Sequence, residues 1–165
     1  MKNIFCLLLF VVSFTAVMAQ SKKQQEEKPA LEQRVDSLQH ELAFLKAKYE
    51  LEQLNSQMQI YSYGIDIKVN AINIDRARKI FESRLATAFQ SDYESFKGLT
   101  NALKERVDST KLFTVLQLMK YSFSDSEVQA LKYQINILDL SLDALEKHLD
   151  LYKISLDEYK KRCLE

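Results

Sequence analysis

The sequence predicts an all-α protein: an elongated antiparallel helical bundle of about four helices, with coiled-coil character and long first and last helices. Three observations predict it. From Val128 to Cys163 the apolar residues fall alternately three and four apart without a slip. Two glycines and one proline in 165 residues are too few for a fold rich in turns. An apolar content of 47% is enough to fill the core of one domain.

The first residues, 1–19, read as a secretory signal peptide. Lys2 precedes an apolar run from Ile4 to Phe14, and Val17 and Ala19 suit cleavage after Ala19. The run is short of the roughly 20 residues that span a bilayer, and Cys6 sits inside it, not behind it where lipid attachment needs it. The expected location is therefore secreted or periplasmic, with no membrane contact indicated once the signal is gone. Cleavage takes Lys2 from 23 basic residues and leaves all 23 acidic ones, a net charge near −1. With a pI near 6.7, nothing global points to nucleic acid.

Residues 20–28 are polar and charged and predict a flexible tether. The bundle is expected over residues 29–165. Pro29 suits a first helical turn, where its missing N–H costs nothing. Leu31, Val35, Leu38, Leu42, Leu45 and Tyr49 follow as a heptad seam. Phe44, Ala47, Leu51, Leu54, Met58, Tyr61 and Ile65 take it up with a shifted phase, and Gly64 is the expected stop.

Ile65, Ile67, Val69 and Ala71 alternate as a strand would, but no second strand candidate exists to pair with them. Ile67, Ala71, Ile74, Ala77, Phe81, Leu85 and Ala88 also share one helical face, which predicts a second helix over about Asp66 to Phe89. Ser91 with Glu94 reads as a capping box at the next start. Phe96, Leu99, Leu103 and Val107 continue from it. The pattern breaks around Asp108-Ser109-Thr110 and resumes at Leu112, so one kinked helix or two short ones fit residues 92–123.

Ser124 and Glu127 repeat the capping box before the last helix. A second stripe, Ala130, Tyr133, Ile137, Leu140, Ala144, Leu151 and Ile154, lies opposite its seam. Two opposed apolar sides predict a sandwiched helix. The second stripe ends at Ile154 while the seam runs on to Cys163. Up-down-up-down connectivity then predicts a two-helix stalk of residues 31–49 against residues 149–163.

Candidate chemistry is sparse. His40, four residues after Asp36, gives two donors where a metal site needs more, and no Glu-x-x-His spacing is present. His148 edges the seam beside Glu146 and Asp150. Lys160, Lys161 and Arg162 complement the dipole of a helix end. No Gly-x-Ser-x-Gly elbow or phosphate loop occurs, so the expectation is a protein without catalytic, metal or cofactor residues.

Tyr152 and Tyr159 replace leucine where the helix becomes one-sided, and tyrosine suits a rim with a buried ring and a wet hydroxyl. Leu149, Tyr152, Leu156, Tyr159 and Cys163 are the candidate interface residues. Cys163, the one thiol left after cleavage, could bridge to its twin in a dimer. The expected function is an exported, non-enzymatic adaptor, scaffold or assembly subunit acting by protein contact or self-association. Its rivals are a periplasmic holdase and a ligand-binding bundle or enzyme. The methionines that serve promiscuous binders are few, with Met58 and Met119 left after cleavage.

Overall fold

The computed structural model describes residues 2–164, with side chains from 29 to 164. It contains three α-helices: α1 (Lys2–Ala77), α2 (Ser83–Lys120) and α3 (Asp125–Leu164). The expected signal, its cleavage position, Cys6 and the tether fall outside the residues whose side chains are described. The chain divides into two units, 1–42 and 43–165. In the first, the side chains from Pro29 to Leu42 are exposed except the half-buried His40.

In the second unit, buried residues repeat at heptad spacing on every helix. They are Ala47, Leu51, Leu54, Met58, Ile65 and Ile72 on α1; Ala86, Phe89, Leu103 and Val107 on α2; and Leu131, Leu138, Leu142, Leu145, Tyr152, Leu156 and Tyr159 on α3. Thr100 and Thr114 occupy buried positions of the α2 row. Each hydroxyl donates to the carbonyl one turn back, Thr100 to Phe96 and Thr114 to Thr110, both at 2.8 Å, so neither is an orphan.

The helix count corrects the expected four, and the boundaries differ from those expected for identifiable reasons. Pro29 lies inside α1 and not at its first turn. Gly64 does not stop α1. It lies under the Phe96 ring of α2, where an added Cβ would stand 3.1 Å from Cε1 and Cζ. The glycine serves close helix approach, and the heptad runs through it from Met58 to Ile65 and Ile72. Ile67 and Ile74, expected to face inward, are consequently exposed.

α1 ends instead at a Schellman turn with no glycine. Lys79 adopts φ 58°, its N–H donates to Arg76 O at 3.0 Å, and Ile80 N–H donates to Asp75 O at 2.9 Å. Ser91 and Glu94 form no capping box; α2 passes through them, and Gln90 donates to Glu94 at 2.7 Å. Residues 108–110 likewise lie within one uninterrupted α2. The box at Ser124 does form: its N–H donates to Glu127 Oε2 at 2.9 Å, and Glu127 N–H reaches back to Ser124 Oγ at 3.4 Å.

Three helices in place of four reverse the direction of the last one. α3 runs parallel to the bundled part of α1, as their pairings show. Phe44 meets Phe123 at 6.2 Å between ring centres, Asn55 meets Ser141, Asp66 meets His148, and Arg76 meets Glu158. α2 runs against both, with Gln57 on Arg106, Lys68 on Asp92, Lys104 on Glu146 and Lys111 on Asp139. The end of α3 is therefore at the opposite end of the bundle from residues 43–49, so the expected stalk pairing of 149–163 with 43–49 does not form. A third helix also has both neighbours on one side, so the second stripe of α3 is not sandwiched within the chain.

Candidate contact surfaces

Tyr152 and Tyr159 anchor the end of the bundle that α3 reaches last. Tyr152 is fully buried and its hydroxyl donates to Phe89 O at 2.9 Å. Its ring meets Tyr93 edge-on, at 5.9 Å between centres. Burial, with the Asp92 carboxylate adding to it, pushes its phenol well above the ordinary range. Tyr159 packs on Phe81 and on Phe89, each at 5.6 Å, and its oxygen accepts the Glu82 N–H at 3.3 Å. Its phenol is also raised, first by burial, although the Glu82 hydrogen bond opposes this. Glu82, the N-cap of α2, makes no side-chain cap, so the Tyr159 hydroxyl pins a turn that the local sequence leaves unsupported.

Of the five candidate interface residues, Tyr152, Leu156 and Tyr159 are thus inside the chain's own core, while Leu149 and Cys163 are half-buried against it. Sequence periodicity identified the buried stripe of α3 but not which of its two stripes faces outward. Exposed in their place are Tyr133, Leu140, Leu151 and Ile154 on α3 and Ile60, Tyr63, Ile67 and Ile74 on α1.

Between α1 and α3 lies a groove of ≈ 290 Å³ lined by Gln59, Ser62, Tyr63, Asp66, Ser141, Ala144 and His148. His148 Nδ1 is 3.0 Å from Asp66 Oδ1, but the nitrogen is buried without a well-directed hydrogen bond. The approach is close enough for charge attraction when the imidazole is protonated. The sequence offered no sign of this pair, whose members are far apart along the chain. Two donors fall short of the three or four that hold zinc, and no group of three or more metal-ligating side chains converges among the described residues. Nor is any helix of the described residues long and apolar enough to cross a membrane.

The most regular exposed feature is the first seam. Leu31, Val35, Leu38, Leu42, Leu45 and Tyr49 are each 45–67% exposed. Ala43, Phe44 and Ala47, which interleave with its end, turn toward the bundle. No protein-family model matches the chain, and no curated protein or solved structure does so.

Proposed function

We propose that this chain is an exported, non-enzymatic helical protein that works by protein–protein contact, as an adaptor, scaffold or assembly subunit. Its contact surface on this reading is the coiled-coil seam of Leu31 to Tyr49. The observation that carries the reading is the exposure of all six seam side chains at an unbroken heptad spacing. A row of leucines in water is unfavourable, and a second helix is the surface that such spacing fits. Export rests on the pattern of residues 1–19. A holdase clasp fits less well, because the groove between α1 and α3 is lined largely by polar side chains.

The test compares the full chain with its Leu38→Asp/Leu42→Asp variant in an extract of the compartment to which it is exported. On this reading the wild-type chain migrates in a complex larger than the mature chain alone, and the variant migrates alone. Identical migration of the two would remove the seam from any role in contact.

A further inference from the structure

We infer that the occupant of this seam is a second copy of the same chain, paired in parallel and in register along residues 31–49. The inference rests on reading that seam as the contact surface, and the charges beside it supply the orientation. In heptad terms Val35, Leu42 and Tyr49 are a positions, and Leu31, Leu38 and Leu45 are d positions. Leucine throughout d with β-branched Val35 at the first a position suits two-stranded parallel pairing, while Leu42 and Tyr49 at the later a positions leave the choice to the flanking charges.

The flanking g positions are Arg34, Glu41 and Lys48, and the e positions are Glu32, Gln39 and Lys46. In a parallel pair each g residue faces the e residue five places further along the other helix. Glu41 of each copy then faces Lys46 of the other, twice by symmetry, and Arg34 faces Gln39. An antiparallel pair centred on the seam sets Glu41 against its own twin and Arg34 against Lys48. On its other flank Glu32 faces Lys46 twice, so three like-charge pairs outweigh two opposite-charge pairs there, whereas the parallel pair has two attractive pairs and no like-charge pair within the seam.

The pair forms without opening the bundle, since Ala43 and Ala47 face inward while Leu45 and Tyr49 face out. The helix is already present, so pairing does not carry the cost of nucleating it. Six half-exposed side chains on each of two copies bury roughly 1,200 Å², at the lower edge of specific interfaces. A reversible dimer is the consequence, its affinity set by the seam packing and flanking charges and not by area alone. Cys163 takes no part, being at the far end of the bundle from Phe44, beyond the Tyr159 contact with Phe81.

Sedimentation equilibrium of the mature chain from Gln20, with and without reductant, tests this alongside Glu41→Lys, Lys46→Glu and the double exchange. The wild type is expected to be a dimer indifferent to reductant. Either single exchange sets like charges across the pair twice and weakens dimerisation by about tenfold. The double exchange restores it to within about threefold. Lys46 also stands 5.5 Å over the Phe113 ring, so helicity and thermal midpoint are measured for each variant to separate pairing from folding.

A wild-type monomer at about 0.2 mM overturns the inference, as does a double exchange no better than the singles. If the wild type is monomeric alone while Leu38→Asp/Leu42→Asp still strips it from a larger complex, the seam meets a different protein. The contact reading then survives and the self-pairing does not.

Discussion

Replacing Tyr152 by phenylalanine keeps the ring in the core and removes one hydroxyl. At neutral pH the loss is one hydrogen bond to Phe89 O, measured at 2.9 Å. That carbonyl lies within α2 and keeps its helical partner, so no buried acceptor is orphaned, and the cost is about 1 kcal/mol. Alkaline pH erodes this difference. Burial raises the Tyr152 phenol in the folded state above its value in the unfolded chain. The stability tied to this proton is fully present below the unfolded value near 10 and is lost as pH rises above it, because only the unfolded chain can release the proton. Each further pH unit removes about 1.4 kcal/mol from the wild type until the folded phenol itself ionises. The variant lacks this contribution, and the two stability curves converge about one unit above pH 10. Urea unfolding followed by far-ultraviolet circular dichroism from pH 7 to pH 11 measures both curves. A constant offset across that range would show that the Tyr152 hydroxyl is not buried as described, and the packing of the α3 end against α2 would have to be redrawn.

Three other substitutions probe the elements that set the fold. Lys79→Gly relieves a lysine held at φ 58° and stabilises the chain by about 0.5–1 kcal/mol in chemical denaturation; a loss of stability would mean that the α1 end is not a left-handed turn. Gly64→Leu drives bulk into the Phe96 ring and costs about 1–3 kcal/mol, whereas an exposed glycine would gain helix stability from the same change. Thr114→Val removes a hydroxyl bonded only to its own helix and gains buried apolar surface, raising the unfolding midpoint with a gain of up to about 1 kcal/mol.

The patterns that were legible in the sequence are those whose cause is local or strictly periodic. The Ser124 and Glu127 box forms as expected, and the row from Leu131 to Tyr159 is buried at its predicted spacing. Gly64 and Ser91 misled because each is a weak boundary signal that packing overrides: one is consumed by the approach of Phe96, and the other lies on an exposed turn inside α2. The true boundary at residues 78–82 contains neither glycine nor proline, and its support comes from Tyr159 across the bundle. That single missed reversal explains the other differences. An odd number of helices turns α3 parallel to the bundled part of α1, sets its end away from residues 43–49 and leaves Tyr133, Leu140, Leu151 and Ile154 of its outer stripe exposed. The seam of residues 31–49 was read directly from its spacing, but its exposure depends on helix count, which spacing does not encode.

Among the exposed apolar surfaces, the outer stripe of α3 is the rival to the α1 seam that the sequence pattern also marks. Photo-crosslinking decides between them most directly, with a photoreactive side chain placed at Leu38 in one variant and at Leu140 in another, both expressed in the native host. A discrete adduct is expected from position 38 and none from position 140. Adducts confined to position 140 would transfer the contact surface to α3 and contradict the role assigned to the seam.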